Sequence, residues 1–208
     1  MGSGDSVISR AECLLERAMV YQRRRDYRRA VIQLKDAVKL DPENHQMWNV
    51  MGLCATSQGD IGDGVAAYER AVALKPDLKE GFLNMAQTLK EEGKTDEAER
   101  NFQKVLTLDA PDAPSMTAYR VMAQMRQQKG LHQGAVDLLT RALGLKRQEG
   151  RIELLFQRAI CYHALGYIRE AVQDYDECMV TQGSNGKGNG GVGEEAKTLQ
   201  YLCFYQKV

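Results

Sequence analysis

The side chains in this chain best suited to chemistry are three histidines, five cysteines and a close pair of aspartates, and their spacing decides what they can do. His45, His132 and His163 lie far apart, and none has a cysteine or carboxylate at the short intervals that metal sites use. That spacing points to surface or groove histidines, and no metal site is expected. Cys13, Cys54, Cys161, Cys178 and Cys203 include no CxxC pair, and their odd number without a secretory leader argues against a disulfide framework. They read as reduced thiols, most of them buried. Asp174 and Asp176 stand two residues apart, which on a helix places them on different faces, so a solvated edge is expected rather than an acid–base pair. Gly186, Gly188 and Gly191 match the letters of a dinucleotide-binding loop, but no strand precedes them and no βαβ unit surrounds them. No nucleophile elbow, P-loop or Ser-His-Asp order can be assembled. The reading is therefore of a protein that is not an enzyme and holds no cofactor.

Charge narrows the partners. The 28 basic residues balance 28 acidic ones, so no net field draws the chain to nucleic acid or to an anionic membrane. The densest local charge, Arg23-Arg24-Arg25 with Arg28-Arg29, has the composition of an import signal or an acidic-partner patch, and also of an ordinary solvated turn. No apolar run approaches the roughly 20 residues of a membrane span, and residues 1–10 carry no hydrophobic leader segment. A soluble, intracellular protein, cytoplasmic and/or nuclear, is expected. Met1-Gly2 with Ser6 has the form of a myristoylation start, although one acyl chain alone holds a membrane only marginally.

The elements that position these groups repeat along the chain. Tyr27 to Pro42 aligns with Ile61 to Pro76: Val31 matches Val65, Leu34 matches Tyr68, and Ala37-Val38 matches Ala71-Val72. The frame recurs at positions 30, 64, 98, 135 and 171, in steps of 34, 34, 37 and 36. Before each later marker stands a second amphipathic stretch with its own pattern. Trp48, Met51-Gly52 and Ala55 precede Gly59; Phe82, Met85-Ala86 and Leu89 precede Gly93; Tyr119 and Met122-Ala123 precede Gly130; Leu155, Arg158-Ala159 and Tyr162 precede Gly166. Small residues at fixed places let two helices approach closely, and a glycine at the turn accepts the left-handed backbone that ends a helix. Each period is thus two helices.

Trp48 to Pro76, "WNVMGL…GDI…AAYERAVALKP", resembles a near-complete tetratricopeptide (TPR) unit, and the resemblance extends over roughly residues 11 to 180. It implies an all-α, right-handed superhelical solenoid of about five helix-turn-helix units plus a C-terminal capping helix. The expected organisation is an N-terminal tail over 1–10, a TPR array over 11–181 with units starting near 11, 45, 79, 116 and 152, a flexible Gly-rich loop over 182–193, and a final helix or partial sixth unit over 194–208. Gly64 departs from the pattern by replacing an alanine, Arg17, Arg126 and Arg158 by replacing apolar residues, and two junctions are lengthened near 110–115 and 146–151. A narrower similarity joins Leu154 to Asp176 and Leu199 to Lys207 with the C-terminal TPRs of plant Ssn6-like suppressors of effector-triggered immunity. It implies an adaptor that restrains immune signalling and transcription.

In the family's frame the first helix of each unit lines the concave groove. The groove residues are then Leu15, Glu16 and Met19; Asn49, Val50 and Leu53; Leu83, Asn84 and Gln87; Arg120, Val121 and Gln124; and Phe156, Gln157 and Ile160. Amides bond a partner's backbone while aliphatics take its apolar side chains, which suits an extended peptide or a helix of another protein. The positions that carry a carboxylate clamp in TPR modules resembling chaperone cofactors are Leu15, Met19, Val50, Glu80 and Asn84, or one unit later Asn49, Leu53, Asn84, Thr117 and Val121. Neither set supplies the cations such a clamp needs, so acidic chaperone tails are not expected as partners. Self-association stays open. The alternative is a partner- or substrate-binding arm of a larger enzyme, as in proteins resembling O-linked GlcNAc transferases.

Overall fold

The computed structural model describes residues 3–108, 113–145 and 150–184, and these are helical apart from short turns. The helices are α1 (Ser3–Arg23), α2 (Tyr27–Leu40), α3 (His45–Gln58), α4 (Ile61–Leu74), α5 (Lys79–Glu91), α6 (Thr95–Thr107), α7 (Ala113–Gln128), α8 (His132–Gly144), α9 (Arg151–Ala164) and α10 (Ile168–Ser184). The chain divides into two compact units, Met1–Asp109 and Ala110–Val208. In the first, α1 pairs with α2, α3 with α4 and α5 with α6, and α2 and α4 each pack on the helix that follows them. In the second, α7 pairs with α8 and α9 with α10, while α8 packs on α9. Among the described residues each unit is all-α, built of successive helix hairpins packed in chain order.

One turn serves every hairpin. The first helix ends on a left-handed residue, and the next amide reaches back to a carbonyl five residues earlier: Asp60 to Ala55, Lys94 to Leu89, Leu131 to Arg126 and Tyr167 to Tyr162. Gly59, Gly93, Gly130 and Gly166 hold the left-handed place at φ of 93°, 77°, 72° and 79°. In the first hairpin Arg25 holds it at φ 59°, a conformation that costs a side-chain-bearing residue about 1–2 kcal/mol. Helix starts are capped unevenly. Asp26 accepts from the Arg29 amide and Asn44 from those of Gln46 and Met47, whereas Asp60 makes no such bond.

Packing follows the small-residue positions. Ala30, Ala86, Ala98, Ala123, Ala135, Ala159 and Ala171 are completely buried, and around them lie Leu34, Tyr68, Phe102, Leu139 and Tyr175. Gly52 and Gly64 face each other across α3 and α4, where a Cβ on Gly52 would sit 2.6 Å from Tyr68 Cδ1 and 3.0 Å from the Gly64 carbonyl oxygen. Two glycines therefore bring these backbones together more closely than alanine allows.

Several boundaries and environments differ from expectation. Residues 3–10 are part of α1 rather than a tail, because Ser3 to Arg23 contains no proline to stop the helix. α10 continues to Ser184, three residues into the segment read as loop; the remainder of 182–193, the segment 194–208 and Cys203 lie outside the described residues. Asp174 is buried rather than solvated, because Arg158 on α9 reaches it. Cys54, Cys161 and Cys178 are buried thiols and Cys13 is exposed. Burial raises the Cys54 thiol to about 11 and Cys178 to about 12, which keeps both protonated and inert near neutral pH.

Candidate functional site

In the first unit the inner faces of α3 and α5 bring amides and aliphatics side by side. Asn49, Leu53, Leu83, Asn84 and Gln87 are all half-buried. Asn84 Nδ2 donates to Asn49 Oδ1 at 3.5 Å, bridging the two first helices. The other half of each amide, and the whole side-chain amide of Gln87, has no partner among the described residues. Beside them lies a cleft of about 180 Å³ lined by Leu53, Thr56, Ser57, Ile61, Tyr68, Asn84, Gln87, Thr88 and Glu91. Tyr68 forms its buried wall, and desolvation pushes the phenol up to about 12, so it meets any ligand as a neutral group. Val50 is half-buried against the core. On α1, Leu15 is only 5% exposed and belongs to the core rather than to an open face, Met19 packs against that core, and Glu16 is exposed.

The second unit uses its inner helices differently. Arg120 on α7 is held by Glu153 on α9 at 2.9 Å, so its guanidinium is already engaged. Val121 is buried at 9%, Gln124 is exposed, and Phe156 packs on Tyr175 with ring centroids 6.0 Å apart. Ile160, 37% exposed, is the large apolar side chain that this face presents. Gln127, which the frame had left out, donates to the Gln157 carbonyl at 3.1 Å and lies 2.8 Å from Cys161 Sγ. Its place three residues after Gln124, on the same helical stripe, was the available signal. Gln157 Oε1 is buried without a hydrogen-bond partner among the described residues, a state that costs about 1–3 kcal/mol unless an incoming donor satisfies it.

A second cluster lies on the other side of α9. The Arg158 guanidinium donates to both Asp174 oxygens at 2.7 Å and to Thr140 Oγ1 at 3.2 Å, and its carbon lies 5.6 Å from the Tyr162 ring centre. The Asp174 hydrogen bonds raise the Arg158 pKa further, so the charge is permanent. This bridge ties α8, α9 and α10 together.

Among the described residues no group of three or more His, Cys, Asp or Glu side chains is placed to hold a metal ion, and no helix is long and apolar enough to cross a membrane. Tetratricopeptide repeat family models match residues 15–78, 83–150 and 152–179. A curated relative, the Protein STIP1 homolog of Dictyostelium discoideum, is 29% identical over 85 residues, which is 41% of this chain; the chain spans 15% of that relative's length. The solved structure of MamA superposes with a TM-score of 0.71 at 17% identity, over 89% of this chain and 96% of MamA. YrrB, described as a TPR protein with an unusual peptide-binding site, superposes at 0.66 and 14% identity, over 89% of this chain and 90% of its own. At those identities the structures establish fold alone, and the fold is typically a non-enzymatic module for protein–protein interaction. With family models matched along most of its length and the same paired-helix units in its structure, the chain belongs to the tetratricopeptide repeat family.

Proposed function

We propose that this protein is a non-enzymatic adaptor whose inner helix faces bind an internal segment of a partner protein. The observation that carries this reading is the Asn49–Asn84 bridge, with its unused amide valences and Gln87 beside the cleft walled by Leu53, Ile61 and Tyr68. Free amide donors and acceptors next to an apolar wall match a peptide backbone with an apolar side chain. The orphaned Gln157 oxygen supports the same role for the second unit, together with exposed Ile160 and Gln124. Arg120, tied to Glu153, contributes by holding α7 and α9 together rather than by gripping a ligand.

The first unit's clamp positions hold no cation, so a C-terminal carboxylate is not what this face selects. A partner captured from native lysate should be lost with Asn49→Ala and Asn84→Ala while helicity and melting temperature stay unchanged. Calorimetry with an acidic chaperone-tail peptide is the opposing test: micromolar affinity that vanishes on C-terminal amidation would overturn the reading. The setting in immune and transcriptional restraint rests on the similarity of Leu154 to Asp176 and Leu199 to Lys207 to Ssn6-like suppressors. Unaltered defence-gene transcription on deletion would remove that setting and leave the groove reading intact. No residue or cleft described above favours the arm of a larger enzyme.

A further inference from the structure

The face of α3 turned away from Asn49 and Leu53 borders a different cleft, between the second helices α2 and α4. It encloses about 250 Å³, below the roughly 300–1,000 Å³ of small-molecule sites and suited to a single long side chain. Its walls are Val31 from α2, Trp48, Met51 and Ala55 from α3, and Ala66 and Ala67 from α4, with Lys35 on one lip and Asp60 and Asp63 on the other. Trp48 is held as a fixed wall by its indole N–H, which donates to the Pro42 carbonyl at 2.8 Å. Asp60 sits at the N-cap of α4 without making the cap bond, and neither its carboxylate nor that of Asp63 has a hydrogen-bond or ion-pair partner among the described residues.

The repeat itself shows what fills this place. In the frame of the markers at 52 and 159, and 64 and 171, Met51 corresponds to Arg158, Ala55 to Tyr162 and Ala67 to Asp174, while Lys35 corresponds to Thr140. Those four counterparts form the bridge in the second unit, where Arg158 lies beside an aromatic ring with its guanidinium on a carboxylate and a hydroxyl. In the first unit the same place is walled by methionine and alanines, and the carboxylates stand about one turn earlier, at Asp63 on α4, and two turns earlier, at its N-cap Asp60. The first unit has the aromatic wall and the anions but lacks the arginine.

We propose that the cleft between α2 and α4 receives the arginine side chain of a partner protein. The stem runs from the Trp48 wall along Met51 and Val31, and the guanidinium meets Asp60 and Asp63. Lys35 is exposed and directs the head group to the α4 lip, its own ammonium remaining in water.

Trp48 is the single tryptophan of the chain, so its emission reports occupancy directly. The probe is a random nonapeptide library displayed on phage as an internal segment, panned on the wild type, on Ala66→Phe, which fills the cleft from an exposed position, and on Asp60→Asn/Asp63→Asn. We expect an arginine-containing family that is depleted on both variants and retained on Asn49→Ala/Asn84→Ala. Its synthetic members should shift Trp48 emission saturably, and replacing the arginine with isosteric, uncharged citrulline should weaken binding by about tenfold or more. The proposal falls if no family is sensitive to Ala66→Phe, if the sensitive family lacks arginine, or if citrulline binds equally well. If every enriched peptide is lost only in the asparagine variant, the groove stands and the cleft is overturned.

Discussion

The α3–α4 and α9–α10 hairpins occupy the same place in the repeat and close it with opposite chemistry. In the first, Gly52 and Gly64 let the backbones nearly touch, Tyr68 covers the junction, and Met51 and Ala67 keep the adjoining surface apolar. In the second the markers are Ala159 and Ala171, and Arg158 and Asp174 replace the Met51 and Ala67 positions together as a bidentate pair, with side chains 18% and 6% exposed. One junction relies on close packing, the other on a desolvated ion pair. Both are consistent with one fold because the repeat requires the site to be filled and satisfied, without prescribing by what.

Breaking the ion pair from one side should give the largest effect. Arg158→Ala leaves the Asp174 carboxylate buried without its partner and should destabilise by about 3–5 kcal/mol, read as a lower urea midpoint. The double change Arg158→Met with Asp174→Ala, which copies the first hairpin, should recover most of that loss. If the single and double variants unfold alike, the pair is not a unit and the comparison fails.

Gly52→Ala tests the other junction. Its Cβ would press on the Tyr68 ring and on the Gly64 carbonyl, and because the carbonyl is backbone it cannot swing away; a cost of about 1–3 kcal/mol is expected in equilibrium unfolding. An unshifted midpoint would show that α3 and α4 separate without penalty. The same substitution at Gly62, where nothing lies within 4 Å, is the control and should change little.

The smallest effect expected is a gain. Arg25→Gly gives the first turn the residue that the later four hairpins carry, and relief of the left-handed strain should raise stability by about 1 kcal/mol. A fall in melting temperature would instead mean that the Arg25 side chain stabilises the turn in a way its exposure does not suggest.

Much of this could be read from residue order alone. The recurring apolar and small positions, the turn glycines and the recurring prolines gave paired helices of one family, because helical periodicity and left-handed caps are local properties that a few neighbouring residues determine. The candidate amides Asn49 and Asn84 were legible for the same reason: the repeat assigns each a place on its own helix. What the order could not supply were relations between helices. Arg158 stood out as a departure and Asp174 as a solvated edge, and only packing of α9 on α10 made each the other's compensation. Phe156 and Leu15 kept their places in the repeat, but Tyr175 and the first unit's core decided how much of each faces solvent. Local sequence determines which elements form and which stripe a residue occupies. Burial, ion pairing and clefts depend on groups distant along the chain, and these meet only when the helices stack.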